Sequence, residues 1–282
     1  MIKWFCSVLN VKVINGCNLR CEGCSHHSHI ASLKSKVNID KLIDSFKKLE
    51  KRIWITDHIS LLGGETFLEP RWSEVLTEIE KVFPYCRLRF YTNGVYLLKN
   101  YDSILKHMSR GTELHISIHE KNNTTLGASI KKTITEFYKK LIQDKFTDFE
   151  RIYYKNQYLT VWNKSFIEKK KKIYPHNSKD IFKSYAGCVC PNIQFYKNKL
   201  WKCATIAYLK DTLGTYKQLN DPEWQPYLKY KGLSLDASND EYKEFFTKQY
   251  TPESICSICP SKHYNLPHKQ DTSIQKVDIK QL

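Results

Sequence analysis

The chain has 282 residues, of which 41% are hydrophobic and 26% charged. This length suits two domains, or one barrel with an appendix, and the composition excludes a wholly disordered chain. The sequence has no apolar run near the roughly 18 residues that a membrane span requires, and its start does not resemble a signal peptide. The formal net charge of +16 favours an acidic partner or an anionic substrate.

Hydrophobic periodicity predicts strands that alternate with helices over the first 120 residues. The predicted strands span residues 4–15, 58–64, 87–94 and 113–120. Amphipathic helices are predicted after Asn38 and from Trp72 to Pro84. This alternation indicates βαβ units and a parallel sheet, in which ligands bind at the carboxyl ends of the strands.

The pattern changes near residues 155–185, where lysine becomes frequent. Lys169 to Lys172 are four consecutive lysines, which are typical of a solvated helix face or linker and, alternatively, of a contact with a polyanion. We place a domain boundary near Ser184. The predicted domains are residues 1–184, an α/β unit, and residues 185–282, a smaller unit rich in aromatic residues and cysteine.

The chain contains ten cysteines. Without a secretion signal, we expect a cytoplasmic protein whose cysteines are reduced ligands rather than disulfides. Cys6 and Cys86 stand alone and are expected to pack in the core. The other eight form an N-terminal and a C-terminal group, namely Cys17, Cys21 and Cys24, and Cys188, Cys190, Cys203, Cys256 and Cys259.

Cys17, Cys21 and Cys24 have the spacing C-x3-C-x2-C on the loop after the first predicted strand. Three thiolates at this spacing can bind three irons of a [4Fe–4S] cluster and leave the fourth iron open for substrate or cofactor. A structural zinc site needs four protein ligands, which one of the following histidines could complete. These histidines are His26, His27 and His29.

Three motifs together resemble those of the radical S-adenosylmethionine (SAM) superfamily: the cysteine triplet, Gly63-Gly64-Glu65 and Thr92-Asn93-Gly94. The resemblance covers nearly the whole chain and implies a partial (β/α)6 barrel. It implies that the open iron chelates SAM and that reductive cleavage of SAM yields a 5′-deoxyadenosyl radical, which abstracts a hydrogen atom from the substrate. It also implies an electron donor such as flavodoxin or ferredoxin.

The same resemblance assigns SAM contacts. Gly63 and Gly64 would let the backbone approach SAM closely, and Glu65 would accept hydrogen bonds from its amino group. Polar groups at the ends of the next strands complete this set, namely Thr92, Asn93, Ser117 and His119. The sequence departs from the usual pattern in two places: Gly23 replaces an aromatic residue, and Thr66 replaces proline.

The C-terminal cysteines resemble the Twitch domain, the shortened form of the SPASM domain, which carries one auxiliary [4Fe–4S] cluster. The pattern is Cys188, nine residues, Asn198, four residues and Cys203, followed by Cys256-Ser-Ile-Cys259. Asn198 stands where glycine is usual, and asparagine is the next best residue for a turn that needs positive φ. Cys190 is the alternative to Cys188 as a ligand. A zinc ribbon is the alternative to the cluster, because zinc binds the same thiolates.

The layout resembles that of the Twitch enzymes related to 2-deoxy-scyllo-inosamine dehydrogenase. The first hypothesis is therefore a radical SAM oxidoreductase that oxidises a polar small molecule, such as a sugar, a cyclitol or a nucleotide-linked unit, with the auxiliary cluster as electron acceptor. Such an oxidation requires a general base. The candidates are His26, His27, His29 and Tyr91.

Three other hypotheses remain open. One is modification of a peptide or protein, although only 16 residues precede Cys17 and we expect no N-terminal peptide-recognition segment. Another is modification of a nucleic acid or nucleotide, which rests on the positive charge alone. The last is a metal-stabilised interaction module without activity. The sequence does not distinguish consumption of SAM from its recycling.

Overall fold

The computed structural model describes residues 2–21, 23–31, 36–121, 123–157, 164–188 and 191–262, and the backbone of 270–271. In chain order, its strands are β1 (Trp4–Ile14), β2 (Arg20–Cys21), β3 (Ile53–Gly63), β4 (Arg87–Thr92), β5 (Glu113–Ile118), β6 (Ile152–Asn156), β7 (Ile167–Lys169), β8 (Lys172–Tyr174), β9 (Ile193–Tyr196), β10 (Lys199–Trp201), β11 (Leu233–Ser234) and β12 (Gln270–Asp271). Its α-helices are α1 (Ile39–Arg52), α2 (Trp72–Val82), α3 (Tyr101–Met108), α4 (Thr125–Gln143), α5 (Ile181–Ala186), α6 (Ala204–Thr215), α7 (Gln225–Leu228) and α8 (Asn239–Gln249).

One eight-stranded sheet in the order β11-β10-β9-β1-β3-β4-β5-β6 forms the framework. The six strands from β9 to β6 run parallel to one another, and β10 and β11 extend the sheet in antiparallel pairs. The α/β class with a parallel, barrel-like sheet is therefore confirmed. No helix within the described part of the chain is long and apolar enough to cross a membrane.

The predicted helices after Asn38 and from Trp72 are confirmed as α1 and α2. Asn38 caps α1 by accepting a hydrogen bond from the backbone N–H of Lys41, at 2.9 Å. The strand predicted at 58–64 begins earlier, at Ile53, because residues 53–55 pair with the start of β1. Helices α3 and α4 were not predicted. Cys6 is fully buried in the core, as expected.

The sheet is continuous across the predicted domain boundary near Ser184, because Leu9 to Val11 of β1 pair with residues 193–195 of β9. The division into two domains stays a prediction. A second apolar cluster lies in the C-terminal part and also includes Phe166 and Ile173 from before the boundary. The partly buried Cys203, Cys256 and Cys259 pack against it.

The lysine run is neither a helix face nor a linker. Lys169 ends β7, Lys172 begins β8, and Lys170 and Lys171 form the turn between them with φ of 47° and 65°. The side chain of Gln218 holds the hairpin in place, because it exchanges two hydrogen bonds with the backbone of Ile173, at 2.9 and 3.0 Å. The turn predicted at Asn198 is confirmed: Asn198 lies between β9 and β10 with φ of 57°.

Gly63 and Gly64 bring the end of β3 against the loop that follows β1. A Cβ on Gly64 would lie 1.8 Å from the carbonyl oxygen of Gly16, and a Cβ on Gly63 would lie 2.5 Å from that of Ile14. Two backbone hydrogen bonds, from Gly64 to Ile14 and from Glu65 to Gly16, hold this contact at 3.2 Å each. These glycines are therefore needed for the packing of two backbone segments, whatever their part in binding a ligand.

Glu65 ties the end of β3 to the end of β4. Its carboxylate accepts hydrogen bonds from the hydroxyl of Thr92 at 2.7 Å, from the N–H of Asn93 at 2.7 Å and from the N–H of Phe67 at 3.2 Å. The side chain is fully buried. Burial raises the pKa of Glu65 from 4.5 to about 7, although these three donors oppose the shift.

The backbone contact at Gly64 can be tested by a pair of alanine substitutions. Gly64→Ala should lower the free energy of unfolding by about 3 kcal/mol, the upper range for overpacking, because the carbonyl of Gly16 must move. Gly214→Ala is the matched control: outside its chain neighbours and the backbone of α6 itself, no atom lies within 4 Å of the added Cβ, and we expect a gain of up to about 1 kcal/mol. Urea unfolding of both reduced apoproteins measures this, and equal stabilities would contradict the packing argument.

Glu65 should also give the stability a specific pH dependence. Its carboxyl group ionises near pH 4.5 in the unfolded chain but near 7 in the folded chain. The free energy of unfolding therefore falls by up to about 3 kcal/mol as the pH rises from 4.5 through 7. The difference in unfolding free energy between Glu65→Gln and the native chain should shift in favour of the variant over this range. Glu150→Gln, at an exposed position, is the control, and a pH-independent difference for Glu65→Gln would contradict the raised pKa.

Candidate active site

A cavity of about 300 Å³ opens at the carboxyl ends of the parallel strands. The structure brings most of the predicted site residues to its wall: Cys17, Cys21, Cys24, Gly63, Gly64, Thr92, Asn93, Ser117 and His119, with His26, His29 and Tyr91. Glu65 lies behind this wall, where it holds Thr92 and Asn93. Motifs that lie far apart in the sequence, from Cys17 to His119, therefore meet at one site.

The three N-terminal cysteines lie on the loop after β1 and reach the cavity from one side. The sulfur of Cys17 accepts hydrogen bonds from the N–H of Leu19 at 3.4 Å and from the side-chain amide of Asn93 at 3.8 Å. Gly23 turns the loop toward Cys24 with φ of 77°. Burial raises the pKa of the Cys17 and Cys21 thiols well above the usual range, so their thiolates need a bound cation.

These features fit an iron–sulfur cluster at the loop. The cavity gives three thiols a common space, and N–H donors to a ligating sulfur are the kind of second contact that tunes such clusters. Within the described ranges, no three His, Cys, Asp or Glu side chains form a group that could hold a single metal ion. In a cubane each thiolate binds a different iron, so that geometry is not required of a cluster.

The three histidines after Cys24 have different environments. His26 and His29 line the cavity, whereas His27 does not. The Nδ1 atom of His27 lies 3.0 Å from the hydroxyl of Thr212, and its ring packs 4.6 Å from that of Phe166. Burial, and then the nearby Lys12, lower the pKa of His26 to about 3. His26 is therefore a neutral imidazole at pH 7, and His27 joins the loop to the C-terminal part.

The floor of the cavity contains polar residues that the sequence did not reveal. Asn10 of β1, Ser60 of β3 and Gln194 of β9 lie side by side, since Asn10 is the register partner of both others. The amide of Gln194 is oriented by the hydroxyl of Tyr208, which donates to it at 2.8 Å. A polar residue among apolar neighbours on alternate strand positions is the signal that could have identified them.

Charged groups next to the floor neutralise one another. Arg89 bonds to Glu113 at 2.6 Å and lies 3.1 Å from His58, and the ring of His115 lies 3.0 Å from Glu113. His58 lines the cavity. None of the described residues in the cavity wall is Asp, Glu, Lys or Arg. The wall therefore offers amides, hydroxyls and imidazoles, which bind uncharged polar groups.

A second, smaller pocket of about 30 Å³ lies in the C-terminal part, and four of the predicted cysteine ligands line it: Cys188, Cys203, Cys256 and Cys259. The remaining pocket wall is mostly apolar, with Tyr185, Ile206 and Ile255. Cys190, the alternative to Cys188, lies outside the described residues. These four thiols form the donor set that a [4Fe–4S] cluster requires.

Lys202 fixes the backbone around this pocket. Its buried ammonium group donates hydrogen bonds to the carbonyl oxygens of Lys248, Gln249 and Thr251, and it forms an ion pair with Glu253 at 2.7 Å. It therefore holds the segment before Cys256 against the segment that carries Cys203. The two sites adjoin at the start of α6, where Cys203 faces the second pocket and Ala204 faces the cavity.

Of three known structures that are similar to this chain, the one with a TM-score above 0.5 supports the fold. The structure of BtrN in complex with AdoMet and 2-DOIA aligns with a TM-score of 0.53 and 14% identity, over 94% of this chain and 99% of that one. The structure of anSMEcpe with bound AdoMet and the Cp18Cys peptide gives 0.41 and 13%, over 86% and 96%. Streptococcus suis SuiB bound to S-adenosylmethionine gives 0.36 and 12%, over 90% and 72%. No curated protein sequence matches the chain.

A family model described as "Radical SAM superfamily" matches residues 11–152. The match covers half of the chain and contains the cysteine triplet, Gly63 to Glu65 and the end of β4. Membership implies an enzyme with a [4Fe–4S] cluster and SAM, and the donor set at the cavity fits both. The chain belongs to the radical SAM superfamily.

Proposed function

We propose that this enzyme oxidises an uncharged, polar small molecule such as a sugar or cyclitol. Cys17, Cys21 and Cys24 would hold the cluster that binds SAM, and the four thiols of the second pocket would hold an auxiliary [4Fe–4S] cluster. Together the bound groups supply abstraction of a hydrogen atom by a 5′-deoxyadenosyl radical and an acceptor for one electron, and a proton leaves to a base. The net reaction is a two-electron oxidation.

The adjacency of the two sites is the observation that carries this proposal. Cys203 and Ala204 are neighbours in the chain, yet they face the second pocket and the cavity respectively. The same holds for Pro191 and Asn192 in the segment before β9. An acceptor held in the second pocket would therefore lie on the far side of the segments that line the cavity, which suits a net oxidation, whereas an isomerisation needs no electron acceptor.

The cavity wall favours the substrate class. It lacks, among its described residues, a cationic side chain that would bind a phosphate, so the wall gives no support for an anionic substrate. Asn10, Ser60 and Gln194 offer both donors and acceptors, the pattern that hydroxyl groups match. BtrN, which shares the fold, was crystallised with the small molecule 2-DOIA as well as AdoMet.

The roles of the remaining wall residues follow from their places. Gly63, Gly64, Thr92, Asn93, Ser117 and His119 are proposed to bind SAM, with Glu65 holding two of them in place. His26, His29, Tyr91 and the newly found His58 are the candidate bases, because all four line the cavity. An electron donor such as flavodoxin or ferredoxin, in a reducing compartment such as the cytoplasm, would complete the system.

The two cysteine sets should be separable by substitution. The native chain, reconstituted anaerobically, should bind about eight irons, and Cys203→Ala should bind about four. Cys203→Ala should still cleave SAM but should not oxidise substrate, whereas Cys21→Ala should not cleave SAM. Iron and sulfide content, with 5′-deoxyadenosine measured by chromatography, checks both.

Cys86→Ala, which removes a cysteine outside both sites, is the matched control and should keep about eight irons.

A panel of uncharged polyols, phosphorylated sugars and short peptides then tests the substrate class. One 5′-deoxyadenosine per oxidised polyol supports the proposal. Turnover of a peptide alone, or zinc in place of the second cluster, would overturn it.

A further inference from the structure

Lys12 is a buried cation beside the cysteine loop. It lies on β1 with only 2% of its surface exposed. Its ammonium group donates a hydrogen bond to the backbone carbonyl of His26 at 3.3 Å and lies 3.4 Å from the ring centre of Tyr208. The ring of Tyr196 lies further away, at 5.4 Å. The side chain therefore ends under the loop that carries Cys24, between that loop and α6.

A buried ammonium group is costly unless an anion compensates it. Burial lowers the pKa of Lys12 to about 7, and two anionic groups oppose this fall, the thiolate of Cys24 and the carboxylate of Asp211. Asp211 already forms an ion pair with Lys197 at 2.6 Å and accepts a hydrogen bond from the hydroxyl of Tyr196 at 2.9 Å. The cysteine loop is therefore the source of negative charge that remains for Lys12.

We propose that Lys12 is a positioning residue that raises the reduction potential of the cluster held by Cys17, Cys21 and Cys24. With three thiolates, a [4Fe–4S] cluster has a net charge of about −1 when oxidised and about −2 when reduced. A bound anionic cluster would favour the ammonium form of Lys12, and a positive charge in a buried, low-dielectric place stabilises the reduced cluster more than the oxidised cluster. Lys12 thus favours entry of the electron from the external reductant, and its contact with His26 holds the loop over it.

This inference rests on the SAM-binding cluster and not on the proposed oxidation. Its test uses the full chain, reconstituted anaerobically with iron and sulfide, with SAM added and dithionite as the reductant. The SAM-perturbed EPR signal is followed through a redox titration, so that the auxiliary cluster does not interfere. The readout is a potential, which loss of a purely structural contact would not move in a fixed direction.

Lys12→Gln removes the charge and keeps a donor for the carbonyl of His26, and Lys12→Met removes both. In both variants the ratio of reduced to oxidised cluster, at one ambient potential, should fall at least tenfold, which is 59 mV for a one-electron couple. Lys12→Arg should stay within twofold of the native chain. Lys210→Met is the matched control, because Lys210 is an exposed lysine of α6 and its charge is screened by water.

An unchanged ratio in Lys12→Gln, with normal iron content, would overturn the inference and leave Lys12 as a structural contact of the loop. An equal shift in Lys210→Met would also overturn it, because any lost charge would then have the same effect. Absence of a SAM-perturbed signal in the native chain would instead overturn the proposed function as well. The two proposals therefore fail in distinguishable ways.

Discussion

The site depends on the contact between Gly64 and the carbonyl of Gly16, where no side chain fits. This contact brings the loop after β1 against the end of β3, and Glu65 then joins β3 to β4. The ends of β1, β3 and β4 are thereby held together in one wall of the cavity. The loop that carries the cysteine triplet is therefore held in place at the cavity, because its backbone is bonded to the end of β3.

The charged side chains near the cavity lie outside its described wall. Around the cavity the ionised side chains are either paired with one another, as Arg89 is with Glu113, or placed behind the wall. Because the described wall is neutral, the groups that bind in the cavity determine the electrostatic field of the site. Lys12 is also buried outside the described wall, next to the cysteine loop. The net charge of +16 accordingly belongs to other surfaces than the cavity.

The sequence predicts those features whose causes are local. The apolar periods of α1 and α2 and the turn at Asn198 each depend on a few consecutive residues, and each is found. Asn10, Ser60 and Gln194 could not be predicted as a group, because they meet through the register of three strands that lie far apart in sequence. The hairpin at Lys170 and Lys171 also escaped prediction, because lysine has no preference for positive φ and the turn depends on contacts with Gln218.

The pairing of β9 with β1 has a consequence for how the C-terminal part relates to the rest. A strand at the end of a sheet exposes backbone N–H and C=O groups that readily pair with other chains. In this protein β9, β10 and β11 cover that side of β1. A chain that ended before residue 193 would therefore leave β1 as an unpaired edge strand, and we expect such a chain to self-associate. The C-terminal part therefore covers this edge of the parallel sheet as well as contributing its own cysteines.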